Sequence, residues 1–195
     1  MRVSDIFRDI QHSGINNNEL RLLRTACSDF FEQANSQPLL KNLNQEPPFS
    51  KVKVRFHKKT NSFIDIFNRA FYEKHHISNL HQRAIFASPQ STFSANKEQA
   101  SVFIFPKNGF KFLYNAEVTD ANVEYGVVFD QLFETIDNQA ASGMLKELLQ
   151  YTYKTENLSE AIRLNAEVIL FNISHYYAVR VDQFDSYSSL LSLLK

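Results

Sequence analysis

Short runs of period two alternate with stretches of period 3.6, and that interleaving constrains the fold more than any other feature. Residues 51–59 place Val52, Val54 and Phe56 on one side and Lys53, Arg55 and His57 on the other, as a strand with one buried face does. Residues 61–74 then bring Phe63, Ile64, Phe67, Ala70 and Phe71 onto one helical stripe. A short apolar run at 84–87 precedes a polar stretch at 88–99. Residues 102–105 read as a strand ending at Pro106. Asn108-Gly109 is a hairpin signal that makes residues 110–114 the partner strand. The period over 127–151 predicts a long helix, with Gly143 as the point where it breaks. A short helix is expected at 158–164 behind Asn157 as its cap, then closely spaced strands at 167–171 and 176–181, then an amphipathic helix at 186–194. Short strands with helices inserted between them predict an α+β fold and not a doubly wound parallel sheet.

The N-terminal part reads differently. Residues 17–33 carry Leu20, Leu22, Leu23, Ala26, Cys27, Phe30 and Phe31 as a helical stripe, with Asn17 or Asn18 as cap. Residues 35–50 hold Pro38, Pro47 and Pro48 and predict an extended connection. The expected organisation is therefore an N-terminal helical extension and linker over 1–50 and one compact domain over 51–195.

Composition removes several functional classes. Only 4 of the 195 residues are Gly, so no glycine-rich phosphate loop, Walker loop or Rossmann fingerprint is present. Lys and Arg total 21, Asp and Glu total 21, so a global basic field for nucleic acid is missing; the interleaved basic run at 51–59 keeps nucleic acid as a distant third reading. The single cysteine, Cys27, allows no internal disulfide and fits a reducing compartment; it reads as a small core residue. No apolar run approaches the roughly 18–20 residues that span a bilayer, and the first residues hold no apolar signal region. A cytoplasmic protein with no membrane contact is expected. His75, His76 and His81 cluster, yet without a cysteine pair or an HExxH spacing, so no metal is expected.

Three pieces stand in a telling order: the strand Val52-Lys53-Val54-Arg55-Phe56-His57, the segment Arg83-Ala84-Ile85-Phe86-Ala87-Ser88 with Ser91-Thr92 after it, and Asn165-Ala166-Glu167-Val168-Ile169-Leu170 followed by Tyr176-Tyr177-Ala178-Val179. A basic residue on an early strand, an aromatic-x-Ser strand end and a late glutamate before aliphatic residues together resemble the mono-ADP-ribosyltransferase superfamily. Phe103-Ile104-Phe105-Pro106, Phe110-Lys111-Phe112 and Leu158-Ser159-Glu160-Ala161-Ile162 extend the likeness to an uncharacterised, phage-associated branch, over residues 51–181.

The resemblance implies a fold of split mixed or antiparallel sheets with flanking helices, and NAD as substrate. It implies Glu167 as the catalytic carboxylate, with Arg55, Ser88, Arg83 and Asn165 as NAD-binding candidates, and a macromolecular acceptor, protein before nucleic acid. The chemistry needs such groups. Breaking the nicotinamide–ribose bond develops positive charge on the ribose, which a carboxylate beside it stabilises. A guanidinium suits the diphosphate because its paired donors match paired oxygens.

The chain also departs from the family pattern. Phe56 follows Arg55 where active members carry glycine, Asn165 stands two residues before Glu167 where many carry Glu or Gln, and Pro89-Gln90 interrupt the Ser/Thr signature. A catalytically inactive fold of the same type, acting as a protein-binding or inhibitory module of a phage, is the alternative expectation. Purely structural roles are an exposed strand carboxylate for Glu167, a solvated strand face for Arg55, a bridge to an acid for Arg83, and turn chemistry for Ser88.

Overall fold

The computed structural model describes residues 14–44, 47–54, 56, 61–90 and 99–194. Among them the fold is α+β, with two antiparallel sheets and flanking helices. In chain order the elements are α1 (Asn17–Ala26), α2 (Ser28–Gln33), β1 (Leu40–Asn44), β2 (Phe49–Lys53), α3 (Ser62–His75), α4 (Leu80–Arg83), β3 (Ile85–Ala87), β4 (Gln99–Pro106), β5 (Lys111–Tyr114), α5 (Ala121–Thr135), α6 (Asn138–Thr152), α7 (Leu158–Arg163), β6 (Val168–Phe171), β7 (His175–Arg180), a 3-10 turn (Val181–Gln183) and α8 (Tyr187–Leu194).

The first sheet runs β1-β4-β7-β2 and the second runs β3-β6-β5. The second sheet is buried on both faces, and its sequence follows from that. Val168 and Leu170 of β6, with Phe112 and Tyr114 of β5, join the core shared with the first sheet and with α1, α2, α7 and α8. Ile169 and Leu113, one residue out of phase, join a second core built from α3, α4, α5 and α6. A strand with apolar neighbours above and below reads as a continuous apolar run, as residues 84–87 and 168–171 do. Aromatic edges fill both cores: Phe30 meets Phe105 at 5.8 Å, and Phe67 meets Phe71 at 4.7 Å. Leu20, Leu23 and Phe30 pack in the same core as Val179, so the helices before residue 50 share a core with β7, and residues 40–44 form the edge strand β1 of the first sheet.

Several local expectations are corrected. The segments 102–105 and 110–114 do not pair as a hairpin: β4 lies in the first sheet and β5 in the second. The turn spends its hydrogen-bonding groups on the N-terminal helices instead. The Asn108 side chain donates to the Thr25 carbonyl (3.0 Å) and accepts from the Asp29 amide (3.1 Å), while the Gly109 amide donates to the Asp29 carboxylate (2.9 Å). Gly109 sits at φ +82, a backbone that favours glycine, so the dipeptide does form a turn, but one that joins two sheets and not two paired strands. Likewise β6 and β7, close in sequence, belong to different sheets.

The long C-terminal period is two helices, and they part at Ile136-Asp137, not at Gly143, which lies inside α6. The Asp137 carboxylate accepts from the Gln139 and Ala140 amides and starts the second helix. The first helical stripe is interrupted at Cys27, and its cap is Asn16, whose side chain and Glu19 form a capping box.

Candidate functional site

The two sheets meet at one edge. Leu40 and Ser88 exchange both backbone hydrogen bonds, Leu40 N–H to the Ser88 carbonyl at 2.7 Å and Ser88 N–H to the Leu40 carbonyl at 3.1 Å. Beside this junction lies a cleft of about 250 Å³, lined by residues of β1, of β3 with Ser88 and Gln90 beyond it, of the start of α5, and by Glu167.

Glu167 stands one residue before β6. Its amide donates to the Val118 carbonyl at 2.9 Å, which fixes the backbone there. By alternation its side chain shares a face with Ile169 and so turns toward the helical side, where α5 begins. The Ala121 amide donates to Oε2 of Glu167 at 2.8 Å. Two effects compete at this carboxyl. The helix amide favours the charged form, and burial disfavours it. Burial wins: the carboxyl is pushed up to about 7, with Asp120 adding to the rise and Lys41 opposing it. Such a perturbed carboxyl in a cleft marks a candidate reactive group.

The start of α5 is heavily capped. Oδ1 of Asp120 accepts from the Asn122 (3.0 Å) and Val123 (3.1 Å) amides. Oε1 of Glu124 accepts from the Thr119 amide (2.7 Å), the Thr119 hydroxyl (3.0 Å) and the Asp120 amide (3.2 Å). Asn122 is held in turn from α4, because His81 Nε2 lies 3.1 Å from its Oδ1. Lys41, on β1, extends its ammonium to the Phe86 carbonyl at 3.0 Å and so reaches from one sheet to the other.

The sequence candidates separate on this geometry. Glu167 and Ser88, distant in sequence, line one cleft. Ser88 lies just past β3, and its hydroxyl accepts weakly from the Gln90 amide at 3.4 Å. Arg83 is exposed at the end of α4 with its guanidinium 5.6 Å from the centre of the Phe56 ring, and it does not line the cleft. Asn165 does not line it either. It is the left-handed residue (φ +59) that ends α7: its amide donates to the Ile162 carbonyl and the next amide, Ala166, to the Ala161 carbonyl. That is a helix-terminating motif for which Asn is one of the few suitable residues. Arg55, like Ser91 and Thr92, lies outside the described residues.

Lys41, Thr119, Asp120 and Asn122 line the cleft and escaped the sequence reading. Asp120 had a legible signal, a capping residue ahead of an apolar helical period. Lys41 had none, since it sits in a polar, proline-flanked stretch. Among the described residues no group of His, Cys, Asp or Glu is placed to hold a metal, and no helix is long and apolar enough to cross a membrane.

No family model, no curated protein and no solved structure matches the chain.

Proposed function

We propose that the chain is an NAD-dependent mono-ADP-ribosyltransferase that modifies a cellular macromolecule, with Glu167 as its catalytic carboxylate. The observation that carries this reading is the cleft itself. A half-buried carboxyl of raised pKa and Ser88, from just beyond the ends of two strands, line one polar space. At about 250 Å³ that space is smaller than the roughly 300–1,000 Å³ of whole-ligand pockets, so it suits part of an NAD molecule and not the whole.

In the reaction the bond between the ribose anomeric carbon and the nicotinamide nitrogen breaks. Its electron pair leaves with the ring, which becomes neutral. The ionised Glu167 stabilises the positive charge that grows on the ribose and accepts a hydrogen bond from the ribose hydroxyl. The acceptor nucleophile forms the new bond to the anomeric carbon and releases its proton to solvent. A bound pyridinium cation favours the ionised carboxyl over the neutral one that burial prefers. Labelled ADP-ribose offered to a bacterial lysate tests this directly. Label should pass to protein with wild type and vanish with Glu167→Ala; no label from either folded protein, together with intact NAD, overturns the reading.

A second reading keeps the fold without the chemistry, as a partner-binding or inhibitory module. Asn165 favours it, because the position expected to help the acceptor is spent on ending α7. NAD that leaves the melting temperature unchanged at millimolar concentration supports this second reading.

A further inference from the structure

The start of α5 would ordinarily attract an anion, but its amides are already committed. Ala121 donates to Glu167, and Asn122 and Val123 donate to Asp120. Any anionic group entering this cleft therefore meets Asp120 and Glu167 on the helix side, with no amide free to receive it there, and must find its counter-charge elsewhere. Among the described residues that line the cleft, Lys41 is the one cationic side chain. Its position is unusual for a lysine: burial lowers its pKa, and the nearby Glu167 raises it. The Phe86 carbonyl accepts one of its N–H groups at 3.0 Å, which anchors the ammonium across the sheet junction and leaves donors for a ligand. Arg83, the other described basic candidate from the sequence, lies against the Phe56 ring and does not line the cleft.

We propose that Lys41 is the anion-binding residue of the cleft, taking a phosphate oxygen of a nucleoside diphosphate whose sugar lies toward Glu167. This rests on NAD as the donor, and it places the ligand: diphosphate on the β1 side, reacting sugar on the α5 side. A point-charge ammonium held by one carbonyl suits a phosphate oxygen.

The test measures binding of ADP-ribose and of inorganic pyrophosphate to the full chain by calorimetry, for wild type, Lys41→Met and Lys41→Arg. Wild type should bind both. Lys41→Met should weaken ADP-ribose roughly ten- to a hundredfold, the loss of one charge-assisted hydrogen bond, and Lys41→Arg should recover most of it. Equal affinity in wild type and Lys41→Met overturns the proposal, as does wild type that binds neither ligand. If Lys41→Met fails to fold, amide shifts in the wild-type NMR spectrum during pyrophosphate titration decide: shifts centred on Lys41 and Ser88 support the assignment, shifts centred elsewhere overturn it. Lys41-dependent ADP-ribose binding without any NAD cleavage would sink the enzyme reading while leaving this one standing.

Discussion

The Ala121 amide donates to Oε2 of Glu167 at 2.8 Å, so the first turn of α5 is tied to the residue that precedes β6. This contact accounts for how a carboxylate that burial disfavours keeps a fixed place in the fold. It also sets up a measurable conflict between stability and charge.

Glu167 has a folded pKa of about 7 against an ordinary 4.5, so the folded state holds its proton more tightly than the unfolded chain. The group's contribution is then fully present below about pH 4.5 and is lost as pH rises through about 7. Glu167→Gln removes this dependence while keeping an oxygen for the Ala121 amide. Urea unfolding should show the variant gaining on wild type across that window, by on the order of 3 kcal/mol at the alkaline end. A constant difference from acid to neutral pH would mean that burial does not raise this carboxyl.

The same titration has a kinetic face. If the ionised carboxylate does the chemistry, kcat/KM for NAD should rise with pH and level off above about 7. A pH-independent rate through that window would remove Glu167 from the rate-determining step.

Phe67 is fully buried and lies against Phe63, Phe71, Phe86 and Tyr153. Phe67→Ala should cost about 3–5 kcal/mol in chemical denaturation, because the ring sits where α3, β3 and the end of α6 converge and the space cannot collapse. A cost below about 1 kcal/mol would show that this helical core repacks freely.

Asn108 holds the junction of α1 and α2 through Thr25, Ser28 and Asp29. Asn108→Ala should lower stability by about 1–2 kcal/mol and should raise amide exchange in residues 25–29 before it affects α6. Uniform exchange across both regions would mean the turn does not staple the N-terminal helices.

Cys27 is buried between the two N-terminal helices, with Sγ 3.5 Å from the Phe105 carbonyl, and burial pushes its thiol up to about 12. A thiol-specific reagent should label it only after unfolding, at a rate that follows global opening. Rapid labelling of the native protein would contradict the packing of α1 and α2 on β4.

Parts of this architecture were legible because they are local. The period of residues 61–74 marks α3, and the apolar run 168–171 marks β6. Each pattern reports a face that must be buried, whatever buries it. Residues 102–114 have the opposite character. Asn108-Gly109 has the backbone freedom a hairpin needs, and nothing local says that its hydrogen bonds go to Thr25 and Asp29, far away in sequence. The helices part at Asp137 and not at Gly143 because a carboxylate cap starts a helix more decisively than one glycine, though the weaker helix former, stops it.

The candidate site divides along the same line. The sequence by itself determined an α+β chain, its main apolar faces, and Glu167 as a carboxylate set out of phase with the apolar Val168 and Leu170. Tertiary structure decided the rest: that Glu167 meets the amide end of α5, that Ser88 stands in the same cleft, that Lys41 reaches over from β1, and that Arg83 and Asn165 are employed elsewhere. The physical reason is range. Periodicity and capping act over a few residues and are written in the chain, whereas burial and charge pairing depend on which distant segments the two sheets bring together.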